Sequence, residues 1–162
     1  MNKSLENKLF ESYSEILPKK WYPTGLPIDD GWYVILDTIC HHIKDRINVV
    51  HWGYNHKGGD KMECEVCIVR IHRQDYGGRL TLEFGVSWTH SLPTEEVETK
   101  LHERLKELTG LVETWSQRTC EMSGRPGQNY VSIDDARVSR VLDPSVAKAL
   151  NFVDESYHYK EQ

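Results

Sequence analysis

A chain of 162 residues is the size of one domain, and at that length about two-thirds of the unfolded surface can be buried without disulfide or metal staples. Hydrophobic residues at 38% and charged residues at 28% exclude a disordered chain, and a formal net charge of −5 disfavours a nonspecific grip on a phosphate backbone. Residues 1–8 hold no apolar run, nowhere do ~18 apolar residues follow one another, and four cysteines are too few for a disulfide scaffold, so a cytoplasmic chain with free thiols and no membrane partner is expected.

The first helix is predicted from 4 to 17. Leu5, Leu9, Tyr13, Ile16 and Leu17 recur at three- and four-residue spacing, Ser4 is placed to cap the start, and Pro18 stops the helix. Three prolines between 18 and 27 and a glycine make 19–28 a loop, whose Trp21 and Tyr22 are expected to lie as a lid on the core. Asp29 or Asp30 then caps a second helix, with Trp32, Leu36, Ile39, Ile43 and Ile47 on one stripe and His41, His42, Lys44 and Arg46 near its carbonyl end. Cys40 and His42 stand two apart on that helix, do not face each other, and are not expected to share a metal.

Val49, Val50, Trp52 and Tyr54 make 47–54 a strand, 55–60 a glycine-bearing loop, and 62–73 a second strand with apolar residues on both faces at its centre. The clearest element is the third strand, 79–88, in which apolar residues fall at 80, 82, 84, 86 and 88 behind the Gly77-Gly78 turn. Thr94 opens the longest helix, where Val97, Leu101, Leu105, Leu108, Val112 and Trp115 form one stripe; Gly110 inside it marks close packing or a break. A short strand at 130–133 and a helix at 144–152 follow, the latter with Asp143 as cap and Pro144 at its first position. The fold class is therefore α+β: a three-stranded antiparallel meander of 47–54, 62–73 and 79–88, a long helix packed across one face, and further N- and C-terminal helices. A single domain 1–162 is expected, with 153–162 frayed.

Cys64 and Cys67 form a C-x-x-C, but on a strand residues three apart point to opposite faces, so neither a zinc knuckle nor a redox pair is expected. His51 and His72 on paired strands could approach each other, yet no H-x-Ser/Thr repeat accompanies them.

Three segments carry a resemblance. Asp30-Gly31-Trp32 through Leu36-Asp37-Thr38-Ile39-Cys40 resembles the "GDGW…L.D.LC" opening of a group of small proteins of phages and prophages. Tyr76-Gly77-Gly78-Arg79-Leu80 is similar to their "KFGGLRF" strand, and Ser116-Gln117-Arg118-Thr119-Cys120-Glu121-Met122-Ser123-Gly124-Arg125-Pro126-Gly127 to their "S.RTCE.CG.PG" segment. The resemblance implies a phage or mobile-element origin rather than a reaction. In the group, "CE.CG" implies a thiolate pair on a turn, completed by a later Cys and His in zinc-ribbon spacing. Here Ser123 holds the second position and no cysteine follows Cys120, so no metal and no cofactor is expected. The 47–54 strand and its glycine loop look like an insertion relative to the group.

No nucleophile elbow, phosphate loop or paired-carboxylate motif is present. The expectation is a small phage-type binding protein that inhibits or sequesters a component of a bacterial host, either a defence protein or a small signalling molecule. The alternative is a compact hydrolase or phosphodiesterase using His51, His56 or His72 with nearby acids. The expected binding surface is the polar set around the glycine turns, His56, Lys57, Tyr76, Arg79 and, on a later loop, Arg125, because loop side chains are not committed to the core and Tyr and Arg are frequent hot spots. Self-association stays open.

Overall fold

The computed structural model describes residues 1–48, 53–54, 61–74, 78–88, 93–135 and 137–154, with the backbone alone for 53–54 and 61–62. Helix α1, Lys3–Ser12, is capped by Asn2, whose side chain accepts from the Ser4 amide, so Ser4 is the second helical residue and not the cap. It ends five residues short of Leu17, because Tyr13 leaves the helical region and the chain unwinds. The unwinding frees the Ile16 carbonyl to accept the Ile68 amide at 2.7 Å, while Ile16 and Leu17 are still buried.

Residues Asp30–Trp32 form a 3₁₀ turn that leads into helix α2, Tyr33–His42. Neither Asp29 nor Asp30 caps it: Asp29 pairs with Arg140, and the Asp30 carboxylate accepts the amide of Asn2. Ile43–Ile47 continues α2 as a π turn, so Ile47 is buried in a helical segment and opens no strand. Of the expected 47–54 strand, 49–52 lie outside the described residues, and Gly53–Tyr54, strand β1, pairs antiparallel with Lys61–Met62, strand β2.

Strand β3, Cys64–Arg73, pairs antiparallel with β4, Leu80–Trp88, from Cys64 opposite Trp88 to Arg73 opposite Leu80. Among the described residues β1–β2 and β3–β4 are separate two-stranded ladders. The β3–β4 register slips at Val69. Cys64, Val66 and Ile68 point into the core, and strict alternation would send Arg70 in after them. The extra residue at Val69 reverses the phase, so Ile71 enters and Arg70 and His72 face out, which is what a bulge does to a pleated strand. Cys64 is buried and Cys67 half-buried on the other face, so the C-x-x-C is no pair. The outer edge of β3 is closed by side chains and a loop carbonyl. Asn48 bonds both the amide and the carbonyl of Val66, and the Tyr22 hydroxyl donates to the Ile68 carbonyl at 2.8 Å.

Helix α3, Glu95–Ser116, has Thr94 as its cap and packs on β4 and α2 through Leu101, Leu105, Leu108 and Val112. Trp115 is 39% exposed, and Ser116 takes the buried position at the end of the stripe, its hydroxyl accepting the Leu80 amide. Gly110 neither breaks the helix nor packs closely: it is exposed, and nothing lies within 4 Å of where its Cβ would stand.

Beyond α3 a second, smaller core forms from Cys120, Tyr130, Leu142 and Ala147, apart from the main one. It lies under an antiparallel sheet in which β5, Gln128–Ser132, is flanked by β6, Ser139–Leu142, and by β7, Phe152–Asp154. Helix α4, Pro144–Ala149, starts with the Asp143 side chain accepting the Ser145 and Val146 amides. Val153 and Asp154, within the stretch expected to fray, pair with Val131 and Tyr130; 155–162 lie outside the described residues. No helix among the described residues is long and apolar enough to cross a membrane.

Candidate functional site

The loop of 19–28 does not behave as a uniform lid. Tyr22 is 6% exposed, tilts against Phe10 with ring centroids 6.2 Å apart, and its hydroxyl, anchored on β3, is pushed above the ordinary tyrosine range by burial. Trp21, one residue earlier, is 50% exposed. The loop is held from below by Glu6, a buried carboxylate that accepts the Leu26 amide at 2.6 Å and Lys3 at 2.9 Å. Burial alone would raise its pKa, but those donors together with the nearby positive charges bring it below the ordinary glutamate value. Gly25, at φ +95°, lies against this carboxylate, where a Cβ would stand 2.4 Å from Oε1.

Held this way, the loop forms one wall of an open groove of about 540 Å³. Trp21, Pro23 and Pro27 supply apolar surface, and Val69, Arg70, Ile71 and Glu83 complete the lining. The bulge at Val69 is what turns Arg70 outward to join Glu83 here. His72 and Arg70 reach the same oxygen of Glu83, Oε1, at 3.0 and 3.4 Å. All three are well exposed, so these contacts are loose and solvent-screened. A second cavity, of about 560 Å³, is lined by Thr38, His41, His42, Asp45 and Arg46 beside the π turn, with the His41 ring 3.2 Å from Asp45.

The segments behind the phage-group resemblance meet elsewhere, at the junction of the two cores. Gly31 donates its amide to the Glu121 carbonyl at 2.8 Å, and the Trp32 indole donates to the Thr119 carbonyl at 3.0 Å. Gly78, at φ +52°, abuts Val141. Glu121 is buried with Arg73 and Arg140 on Oε2 at 3.0 and 3.3 Å, while Oε1 accepts the Val141 amide. Desolvation outweighs the pull of the two arginines and raises its pKa above the ordinary glutamate value. At the position of the group's second cysteine, Ser123 donates its hydroxyl to Asp143, and its amide donates to Cys120 Sγ at 3.4 Å. The Ser123 and Ser145 hydroxyls hold the Asp143 carboxyl well below its usual range. Among the described residues no three His, Cys, Asp or Glu side chains are grouped to hold a metal ion.

Of the residues expected to bind, His56, Lys57 and Tyr76 lie outside the described residues. Arg79 and Arg125 are both exposed. The Arg79 carbonyl closes the β3–β4 turn on the Gln74 amide, and the Arg125 carbonyl accepts the Cys120 amide. His51 also lies outside, and His72, the described histidine of the hydrolase alternative, contacts Glu83 but does not itself line the groove. Sequence reading passed over Arg70 and Glu83. Their only signal was an arginine at a position where simple alternation would bury it.

No family model matches the chain, and no curated protein or solved structure is similar enough to count as a relative.

Proposed function

We propose that this is a small binding protein that takes its partner in the Trp21 groove, and that it belongs to the phage and prophage group and works in the cytoplasm of a bacterial host by sequestering or inhibiting a host component. The observation that carries the binding reading is the division of labour in one dipeptide. Tyr22 is fixed to the core, while the indole beside it is presented half-bare on a loop clamped by Glu6, in a groove that Arg70 and Glu83 also line. An exposed aromatic on an anchored loop, in one groove with charged groups, is the composition of a recognition surface, because little backbone entropy is lost on binding. We also propose that the two N-terminal ladders are parts of one meander, since only Glu63 separates β2 from β3.

The test is capture from bacterial lysate, with mass spectrometry of proteins and small molecules, using the wild type, Trp21→Ala with Arg70→Ala, and Arg79→Ala with Lys57→Ala and Arg125→Ala. The groove reading expects the first variant to lose the captured species and the second to retain it. Loss through the second variant alone would place binding on the glycine-turn surface.

A further inference from the structure

We propose that the groove lined by Trp21 and the Arg70–Glu83 pair is a site for a guanine base, presented as a free mononucleotide. The inference rests on the binding reading above and narrows it to a ligand class. Its size fits: about 540 Å³ is within the range of small-molecule sites, roughly 300–1,000 Å³. Its lining has two chemically different parts. One offers the half-exposed Trp21 ring flanked by Pro23 and Pro27, a surface on which a planar ring can stack. The other offers a carboxylate acceptor, Glu83, beside a guanidinium donor, Arg70.

That order of groups selects among planar ligands. The Watson–Crick edge of guanine reads acceptor, donor, donor: O6, then N1–H, then the N2 amino group. A carboxylate accepts the two adjacent donors as a charge-assisted pair while a neighbouring guanidinium donates to O6. Adenine sets an acceptor at N1 next to its one amino donor, and uracil sets acceptors on both sides of its donor, so each leaves a Glu83 oxygen facing a lone pair. Glu83 can make the change at small cost, because its present partners are exposed: His72 and Arg70 share Oε1, and Oε2 takes part in neither contact. The part that carries the indole is pre-set by the Glu6 clamp on Leu26 and Gly25, so stacking need not order the loop. The Lys20 ammonium lies over one face of the Trp21 ring, 5.4 Å from its centre, so a base stacks on the other face or displaces this exposed cation. The net charge of −5 sets the whole chain against a long polyanion, which favours a mononucleotide over an RNA strand.

The experiment titrates the full-length protein with GMP, AMP and UMP, and with a single-stranded RNA hexamer containing one guanine, by calorimetry and by indole N–H chemical shifts. The Trp21 signal is assigned from Trp21→Phe. The expected result is one GMP per chain with the Trp21 indole shifted, AMP and UMP at least tenfold weaker, and the hexamer no tighter than GMP. Trp21→Ala and Glu83→Gln should each weaken GMP at least tenfold with the unfolding midpoint unchanged. Equal affinity for the three nucleotides, or binding that survives both substitutions, overturns the assignment, and a hexamer tenfold tighter than GMP overturns the free nucleotide as its source. The two levels separate cleanly. If GMP fails but Trp21→Ala with Arg70→Ala still loses a captured partner, only the guanine assignment falls; if both fail, the groove reading falls with it.

Discussion

Two glycine-to-alanine substitutions should move stability in opposite directions. At Gly31 an added Cβ would stand 2.1 Å from the Cys120 carbonyl oxygen and 2.6 Å from both the Glu121 carbonyl carbon and the Gly124 amide nitrogen. All three are backbone atoms, so no side chain can swing away. The 3₁₀ turn must separate from the Cys120–Gly124 turn by more than an ångström, and overpacking of that kind costs about 1–3 kcal/mol. The same movement stretches the 2.8 Å bond from the Gly31 amide to Glu121, worth a further ~1 kcal/mol. The sum is a loss of about 3 kcal/mol, a large share of a typical domain stability of roughly 5–15 kcal/mol. At Gly110, mid-helix and exposed with nothing near the new methyl, alanine should stabilise by about 1 kcal/mol, through helix propensity and a less free unfolded chain. With a urea m-value of about 2 kcal/mol/M, the midpoints should shift by about −1.5 M and +0.5 M. Fluorescence and far-UV circular dichroism should be followed in parallel to confirm a single transition. A Gly31→Ala midpoint within about 0.2 M of wild type would refute the close packing of the two turns, because surface-like substitutions stay within roughly 0.5 kcal/mol.

The remaining expectations concern buried chemistry. Glu121 has a raised folded-state pKa, so its favourable contribution is complete below the ordinary glutamate value and is lost as pH rises through the folded value. Glu121→Gln, which is neutral throughout, should therefore gain stability relative to wild type between pH 4 and pH 7, although it breaks two ion pairs; an unchanged or opposite difference between urea midpoints at the two pH values would refute this. Among the four cysteines, Cys67 is half-buried and the other three are buried, with the Cys40 thiol pushed far up by burial. Iodoacetamide on the native protein should label Cys67 first, read by peptide mass spectrometry, and the other three only once denaturant unfolds the chain.

What could be read from the sequence was local. The α3 stripe from Leu101 to Val112 and its Thr94 cap, the alternation of β4, and the Asp143-Pro144 start of α4 depend on neighbours a few residues apart, and each stands in the structure, whereas Trp115 at the end of the expected stripe does not. What could not be read depends on distant partners. Asp29 and Asp30 have the chemistry of caps, but a partner 111 residues away claims the first and the Asn2 amide the second. Helix α1 stops early because the Ile16 carbonyl is needed at the edge of β3. The bulge at Val69 has no signature in a run of β-formers; its reason, keeping Arg70 out of the core, appears only when β3 is set against β4. The groove follows from that bulge, so it was hidden for the same reason. Trp21 and Tyr22 are alike in composition, yet the 3₁₀ turn ending at Trp21 sends one ring to solvent and the other to the core.

The position of the three resembling segments bears on where function should be sought. Residues 30–40, 76–80 and 116–127 hold the glycines whose places are set by backbone contact: Gly31 under the Cys120–Gly124 turn, Gly78 with its Cβ site 2.9 Å from the Val141 amide, and Gly127 with its site 2.8 Å from the Cys120 amide. Each is a place where one main chain meets another too closely for a side chain. Together with the buried Glu121 between Arg73 and Arg140, they fasten the small C-terminal core to the main body. For these glycines and Glu121, packing accounts for the residue present, and the Ser123 hydroxyl is likewise occupied by Asp143. Trp21, Arg70 and Glu83 lie outside all three segments and have no such duty: the Trp21 ring and the Arg70 and Glu83 heads are left to solvent beside Tyr22 and Ile71, which the core holds in place. A protein that keeps the junction and alters the groove would keep this fold and change its ligand, so a shared set of junction residues is evidence about architecture, and specificity has to be tested at Trp21, Arg70 and Glu83.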